Sequence, residues 1–201
     1  MPNWCDNTIN ISGDKKTLKN LKEFVGRPMK REGEDEIAEP VFSFFNIVAP
    51  TKDATPILGA LSASSGDEDW YHNQINSWGT KWDVAGNVSF SESDDSLCYS
   101  FDSACSPPEP VIARLAEIFP TLCIEHKYYE PGCDFWGIVT YQKGEVFEEE
   151  HGDMNHSAWV KLGMDCYQCE QYEEDPEEYE EYLYKDCPPA IELAKKAEVS
   201  A

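Results

Sequence analysis

The residues of this 201-residue chain that are best suited to metal chemistry lie near its carboxyl terminus. Cys166 and Cys169 are separated by two residues, and His151 and His156 precede them. Thiolate and imidazole groups at such spacings can form a tetrahedral Cys2His2 zinc site. The order His-x4-His-x9-Cys-x2-Cys is unusual, and one Cys-x2-Cys pair is a weaker signal than two, so ordinary reduced thiols are the alternative. Our first expectation is therefore no bound metal and no cofactor, with zinc as the second interpretation.

The most strongly charged stretch, residues 170–185, mixes carboxylates with tyrosines. Pro176 suits the first turn of a helix that Asp175 caps. Tyr179 and Tyr182 then share one face of that helix. Rows of carboxylates can imitate the phosphates of a nucleic-acid duplex, and a solvated acidic tail that aids solubility is the alternative. The candidate partner-binding residues are Glu173, Glu174, Asp175, Glu177, Glu178, Tyr179, Glu180, Glu181 and Tyr182.

The charge of the whole chain is strongly negative. The chain has 16 lysine and arginine residues and 39 aspartate and glutamate residues, a formal net charge of −23. The stretch 145–201 alone holds 17 acids and four lysines, a net charge of −13. Such a surface repels phosphate groups, so direct binding to nucleic acid or to an anionic membrane is disfavoured. The partner that we expect is instead a basic surface of a host protein or nucleoprotein complex.

The amino-terminal sequence and the cysteines are typical of a cytoplasmic protein. The first residues have neither the basic nor the apolar region of a secretory signal. The longest apolar stretch, residues 41–50, is too short to span a bilayer. We therefore expect the eight cysteines to remain reduced.

No pattern of residues points to a catalytic site. Phosphate-binding loops of the GxGxxG and GxxxxGK types are absent from the sequence. Cys5 could act as a nucleophile only if the fold brought His72 or His126 to it, and a packed thiol is the alternative. Acidic neighbours, and no recognisable strand followed by a helix, disfavour thioredoxin-like chemistry at Cys166 and Cys169. We expect no catalytic residues.

Hydrophobic periodicity predicts an α+β domain over residues 1–143. The order is strand, helix, hairpin, helix, strand, strand, which is typical of a ferredoxin-like sandwich with helices on one face of a mainly antiparallel sheet. The predicted elements are a strand at 7–12, a helix at 15–25 capped by Asp14, a helix at 67–78 capped by Asp67, a hairpin of 81–90 with 97–103, a helix at 109–119, and strands at 123–129 and 134–141.

Three further stretches have less regular patterns. Residues 27–40 are predicted to form a surface loop, because charge is dense there and no periodicity is present. Residues 41–48 are predicted to form a short strand or loop over the core. Residues 144–201 are predicted to form an acidic, partly helical carboxyl-terminal extension.

Four short motifs resemble those of a known family. They are Pro2-Asn3-Trp4-Cys5-Asp6-Asn7, Trp78-Gly79-Thr80-Lys81-Trp82, Ser106-Pro107-Pro108 and Tyr129-Glu130-Pro131-Gly132. The chain thereby resembles, over about residues 1–143, the YubB-type ferredoxin-like family, small proteins of uncharacterised function carried on plasmids and phages of proteobacteria. The resemblance implies the ferredoxin-like fold and a phage or plasmid setting, and it implies no activity. Lys81 stacked on an indole would suit a recognition surface, with a core corner as the alternative.

These observations favour a non-enzymatic acidic binding protein of a phage or plasmid. We expect it to inhibit a host nucleic-acid-handling or defence complex by nucleic-acid mimicry. The alternative is a small zinc-dependent enzyme or regulator that uses Cys166 and Cys169 with His151 and His156.

Overall fold

The computed structural model describes residues 3–30, 37–49, 70–84 and 88–199. The strands are β1 (Trp4–Ser12), β2 (Met29–Lys30), β3 (Ile37–Ala38), β4 (Ser89–Glu92), β5 (Ser96–Ala104), β6 (Cys123–Glu130), β7 (Phe135–Gln142) and β8 (Glu145–Gly152). The helices are α1 (Lys15–Val25), α2 (Phe44–Ile47), α3 (Trp70–Trp78), α4 (Glu109–Ile118), α5 (His156–Leu162), α6 (Tyr167–Glu174), α7 (Pro176–Tyr179) and α8 (Pro188–Val199). A 3₁₀ turn, Glu180–Tyr182, follows α7.

Strand β1 lies at the centre of the main sheet, and its side chains alternate between buried and accessible positions. Cys5, Asn7, Ile9 and Ile11 are buried, whereas the residues between them are exposed or half-buried. β1 pairs antiparallel with β5 on one side and with β6 on the other. The same two-residue alternation runs along β5 and β6. One face of the sheet is therefore covered by the core.

The sheet has six strands in the order β4-β5-β1-β6-β7-β8. Strand β5 lies between β4 and β1, so the connection from β1 through α1 to β4 is the split βαβ unit. Helix α4 leads from β5 to β6, on the other side of β1. This order confirms the predicted α+β, ferredoxin-like fold. Strands β7 and β8 extend the sheet beyond β6, outside the four strands of the ferredoxin-like fold.

Helices α1 and α4 lie where the periodicity predicts them. The carboxylate of Asp14 caps α1 by accepting the backbone N–H of Thr17 at 3.0 Å. Each helix turns one apolar face to the core, as a 3.6-residue period requires. The buried residues are Leu18, Leu21 and Val25 in α1, and Val111, Ile112, Leu115 and Ala116 in α4.

The prediction of a short strand or loop at residues 41–48 is wrong in part, because a helical turn, α2, forms there. The buried carboxylate of Asp83 accepts the hydroxyl of Ser43 at 2.7 Å. It also accepts the backbone N–H groups of Phe44 at 2.6 Å and Phe45 at 3.3 Å. A residue far along the chain thus satisfies the free N–H groups at the start of the helix, which a local pattern cannot reveal.

Strand β4 is shorter than the predicted first arm of the hairpin, residues 81–90. Only Ser89–Glu92 pairs with β5, and Lys81–Trp82–Asp83 forms a bend. Residues 85–87 lie outside the described residues.

Two other predictions fall partly outside the described residues. Helix α3 begins at Trp70, so the predicted cap Asp67 is not among them. Within the predicted loop at 27–40, strands β2 and β3 pair antiparallel, and residues 31–36 are not described.

The chain divides into two compact units. The core unit comprises Met1–Cys133 and Gly137–Glu150, and the C-terminal unit comprises Asp134–Trp136 and His151–Ala201. The core unit thus includes most of β8, a strand beyond residue 143 that periodicity did not predict. Across the described ranges, no helix combines the length and the apolar character needed to cross a membrane.

Candidate metal centre and acidic segment

Four side chains of the C-terminal unit bring metal-ligating atoms to one point. They are His156, Cys166, Cys169 and Cys187, and their ligand atoms all lie within 4.8 Å of one another. Cys166 Sγ and Cys187 Sγ are 3.7 Å apart, and Cys169 Sγ is 3.4 Å from His156 Nδ1. We call these four residues the Cys3His cluster.

Each member of the Cys3His cluster is held at or near the start of a helix. His156 is the first residue of α5, which Asn155 caps by accepting a backbone N–H. Cys166 is the N-cap of α6, and its carbonyl oxygen accepts the backbone N–H of Cys169 at 2.9 Å. Cys187 directly precedes α8. A helix therefore opens at the Cys-x2-Cys pair, but helix α5 and not a strand precedes it, in agreement with the expectation that no strand leads into a helix here.

Asp186 connects the segment before α8 to the start of α5. Its carboxylate accepts the backbone N–H groups of His156 at 3.0 Å and Ser157 at 2.9 Å. Partial burial opposes ionisation of Asp186, but these hydrogen bonds hold its pKa below the ordinary value. The bonds fix the neighbouring Cys187 beside His156, although the two residues are far apart in the sequence.

The thiols of the Cys3His cluster lie in surroundings that disfavour a free thiolate. Burial raises the pKa of both Cys169 and Cys187, and the neighbouring cysteine side chains add to the rise at Cys187. A divalent cation reverses this balance, because a thiol that binds a metal gives up its proton. The cluster is therefore chemically suited to a cation that prefers sulfur and nitrogen ligands.

The structure brings together three of the four residues that the sequence singled out for zinc. His151 is exposed on β8 and is not a member of the cluster. Its place is taken by Cys187, which sequence reasoning missed. The signal was present, because the interval between Cys169 and Cys187 falls within the range of about 15–20 residues found between the cysteine pairs of many zinc sites.

The acidic segment, which we define as residues 173–182, lies on α6, α7 and the 3₁₀ turn. The predicted cap is confirmed, since the Asp175 carboxylate accepts the backbone N–H of Glu178 at 3.2 Å and Pro176 is the first residue of α7. The segment is nevertheless not one helix. Asp175 is extended, as expected for a residue before proline, and α7 ends at Tyr179.

The carboxylates of the acidic segment are all exposed. Among the described residues, none of them forms a salt bridge with a lysine or arginine. Tyr179 and Tyr182 lie in contact, with ring centroids 6.2 Å apart, and Tyr182 is 61% exposed. The neighbouring glutamates raise the pKa of both tyrosines: Glu178 acts on Tyr179, and Glu181 acts on Tyr182. The segment thus presents unneutralised carboxylates around two aromatic rings.

Two of the sequence motifs interlock inside the core unit. The Ser106 hydroxyl donates to the Gly79 carbonyl oxygen at 2.6 Å, and the Thr80 hydroxyl donates to the Ala104 carbonyl oxygen at 2.8 Å. Gly79 has a φ of +77°, and a Cβ there would meet the ring of Pro110, so glycine is required. These contacts give the motifs a structural role.

The indoles of the second motif differ in exposure. Trp78 is buried, and its Nε1–H donates to the Val48 carbonyl oxygen at 2.7 Å. Lys81 lies over the Trp82 ring at 4.5 Å, and Trp82 contacts Trp4 with centroids 6.0 Å apart. The core corner is therefore confirmed for Trp78, whereas Lys81 and Trp82 form a cation–π pair.

The first motif supplies a buried polar network. Asn7 Nδ2 donates to the Cys5 carbonyl oxygen and to Ser103 Oγ, both at 2.8 Å. Asn7 Oδ1 can only accept a hydrogen bond. His126 Nε2 lies 3.0 Å from Asn7 Oδ1 and therefore donates its N–H to it. Burial raises the pKa of the Cys5 thiol to about 12. These residues are packed in a core, where His126 Nδ1 has no hydrogen-bond partner among the described residues and Cys5 is not an activated nucleophile.

Comparison with known proteins agrees with this architecture. A family model described as a ferredoxin-like domain in Api92-like protein matches residues 78–181. The chain belongs to this family. The sequence motifs indicated a resemblance to the family up to about residue 143. The match extends past that residue and includes nearly all of the acidic segment. It ends before Cys187.

Two relatives illustrate the Api92-like family. An uncharacterised protein of Escherichia coli strain K12, YubB, is 31% identical over 102 residues, which are 50% of this chain and 68% of the relative. The crystal structure of a protein Api92 from Yersinia pseudotuberculosis matches with a TM-score of 0.52 and 14% sequence identity. That match covers 77% of this chain and 99% of the other, and it supports the fold alone.

Proposed function

We propose that this protein is a non-enzymatic binding protein whose acidic segment docks onto a basic surface of a host protein or nucleoprotein complex in the cytoplasm. The setting is a phage or plasmid, and the effect is inhibition of a nucleic-acid-handling or defence complex. The observation that carries the proposal is the acidic segment, whose exposed carboxylates have no cationic partner among the described residues.

The charge density of the segment supports mimicry of nucleic acid. Residues 173–182 hold seven carboxylates in ten positions. The segment combines α-helical and 3₁₀ turns, whose rise of about 1.5–2 Å per residue gives roughly one charge per 2–3 Å of chain, of the same order as the ~1.7 Å of a DNA duplex. Such a surface steers a basic partner by long-range attraction, while Tyr179 and Tyr182 offer apolar area for the centre of an interface.

The alternative, a zinc enzyme, receives less support from the Cys3His cluster. A catalytic zinc ion keeps one position open for water or substrate, with three protein ligands. The cluster offers four protein donors. Direct binding of this chain to nucleic acid is disfavoured by its net charge of −23.

Partner capture by a charge-neutralised variant tests the proposal. Replacing Glu177, Glu178, Glu180 and Glu181 by glutamine removes four charges and retains side-chain size. We expect proteins captured by the wild type from a nuclease-treated proteobacterial lysate to bind the variant weakly. We also expect wild-type capture to decline steeply as salt rises, because exposed charges are screened beyond ~8 Å at physiological ionic strength.

A matched control removes four exposed charges from the core unit instead. The variant Glu39→Gln, Glu145→Gln, Glu148→Gln, Glu149→Gln has the same net charge as the test variant, so it should retain the partner. Equal loss in both variants would show that total charge alone matters. Unchanged capture by the test variant, with unchanged salt dependence, would leave the segment as a solubility tail.

Tyr182→Ala separates the two contributions to binding. Charges chiefly set the association rate, whereas a buried aromatic anchor chiefly sets the dissociation rate. With a captured partner in hand, we expect Tyr182→Ala to speed dissociation and the glutamine variant to slow association, both measured by surface plasmon resonance.

A further inference from the structure

The distances in the Cys3His cluster fit a tetrahedral metal site. Zinc–sulfur bonds of about 2.3 Å and zinc–nitrogen bonds of about 2.0 Å in a tetrahedron place two sulfurs about 3.8 Å apart and a sulfur about 3.5 Å from the nitrogen. The Cys166–Cys187 sulfur pair is separated by 3.7 Å, and the Cys169 sulfur is 3.4 Å from His156 Nδ1. The largest separation in the set is 4.8 Å, which small side-chain rotations can close.

Two thiols packed in van der Waals contact would show a similar separation, so the small size of the C-terminal unit and the exposure of its acidic elements provide the second observation. This unit consists of Asp134–Trp136 and His151–Ala201. Folded units below roughly 70–80 residues commonly need a metal, a disulfide or an assembly to add to a small core. Helices α6 and α7 and the 3₁₀ turn contain no buried side chain. Apolar burial by their own side chains therefore does not hold these elements in place.

Electrostatic repulsion makes the need for a cross-link larger. The loop between Cys169 and Cys187 holds nine acids and one lysine, a net charge of −8. Bringing the two ends of this loop together confines like charges, which costs free energy. The cysteines nevertheless meet, and Asp186 is already bonded to the start of α5.

We propose that His156, Cys166, Cys169 and Cys187 bind one structural zinc ion, which closes the acidic loop between Cys169 and Cys187 and holds the acidic segment in a fixed conformation. Sulfur and nitrogen donors in a tetrahedral set favour zinc over magnesium, calcium or manganese, which prefer oxygen. Four protein ligands complete the coordination, so the ion has a structural role. This proposal goes beyond the proposed function and stands without it, since metal content is measured without a partner.

A cleft next to the cluster offers a route by which the ion can arrive. It has a volume of about 550 Å³ and is lined by His156, Cys166 and Cys169 together with the carboxylates of Glu170 and Glu173. Carboxylates at the mouth of such a cleft raise the local concentration of a cation. The sulfur and nitrogen atoms then retain a metal with stronger affinity than carboxylates alone provide.

Elemental analysis of the full-length, untagged protein tests the proposal directly. We expect about one zinc ion per chain after purification under reducing conditions without chelator, as a closed four-ligand site retains its metal. Cys187→Ser and His156→Ala should each lose most of this zinc. Their matched controls, Cys123→Ser and His151→Ala, alter the same residue types outside the cluster and should retain it.

A second measurement covers the case in which a variant fails to fold. The wild-type protein is stripped of metal, reduced and titrated with cobalt(II), whose strong visible bands report tetrahedral thiolate coordination. We expect saturation at one equivalent, release by zinc, and protection of three thiols from alkylation, identified by mass spectrometry as Cys166, Cys169 and Cys187. Absence of these bands from the reduced wild type, equal zinc loss in the control variants, or a Cys166–Cys187 disulfide in the freshly purified protein would overturn the proposal.

The outcome is distinguishable from failure of the proposed function. A protein that binds zinc and captures no partner retains the metal site and loses the binding role. A protein that captures its partner equally well with and without zinc retains the binding role and loses the link between the ion and the acidic segment.

Discussion

The two units of this protein differ in how far their elements bury apolar side chains. The core unit buries continuous apolar faces of β1, α1 and α4, with Ile9, Leu21 and Leu115 inaccessible to solvent. In the C-terminal unit, α6 and α7 bury no side chain, and the Cys3His cluster brings together residues of α5, of α6 and of the segment before α8. Under the zinc proposal, metal coordination supplies the stabilisation that the exposed side chains of the acidic segment do not.

Removal of the metal should produce the largest difference in protease susceptibility between the two units. A chelator should leave the core unit folded and open the segment from Gly163 to Cys187, because only the latter depends on the proposed zinc. We expect a glutamate-specific protease to cut this segment about tenfold faster after chelation, in line with the larger open population. Mass spectrometry of the fragments locates the cuts. Equal acceleration within β1 or α4 would mean that the two units are not independently stabilised.

A cavity in the core unit should produce the next largest effect. Leu115 of α4 is fully buried, so Leu115→Ala removes buried methyl groups and is expected to cost about 2–5 kcal/mol in urea denaturation. Zinc content should not change. Val160, in the C-terminal unit, is 59% exposed, and Val160→Ala should cost at most about 0.5 kcal/mol. Loss of zinc in Leu115→Ala would contradict the separation between the units.

A pH dependence that belongs to the core unit gives a smaller effect. Burial lowers the pKa of His126 to about 3, from the ordinary value of 6.5. The unfolded chain therefore binds a proton below pH 6.5 that the folded chain does not, and stability is lost as pH falls towards 3. The expected loss from this histidine is about 2 kcal/mol between about pH 7 and about pH 5.

Comparison of variants isolates that contribution. His126→Gln retains an N–H donor for Asn7 and does not titrate, so its urea stability should fall less between the two pH values than that of the wild type. His151 is exposed, and His151→Gln should retain the wild-type dependence. Parallel pH profiles for the wild type and His126→Gln would show that His126 is not the group responsible.

Much of the core unit could be predicted from the sequence, because the determining interactions are local. Helix α1 occupies the predicted bounds, since its apolar spacing and its cap at Asp14 lie within one short segment. The order of strands and helices then indicated the split βαβ unit. Asp175 and Pro176 likewise marked the start of α7, for the same local reason.

Strand β8 and helix α2 could not be predicted in this way. All residues of β8 are exposed, so the two-residue alternation that marks a half-buried strand is missing. Helix α2 begins where it does because the distant carboxylate of Asp83 bonds its first N–H groups. The deciding partner of α2 is thus far along the chain, whereas β8 lies beside the adjacent strand β7 and is hidden by its lack of alternation.

The Cys3His cluster shows most clearly which features local sequence predicts and which need the tertiary structure. The sequence by itself indicated that Cys166 and Cys169 could bind the same metal ion, because the Cys-x2-Cys spacing is that of many zinc sites. It also included His151, which lies outside the cluster, and it did not identify Cys187 as the fourth member. Only the tertiary structure decided these points, since Asp186 binds the start of α5 and thereby carries Cys187 to His156 from a distant part of the chain. Hydrophobic periodicity encodes which face of an element is buried, whereas a meeting of distant polar side chains depends on how the whole chain folds back on itself.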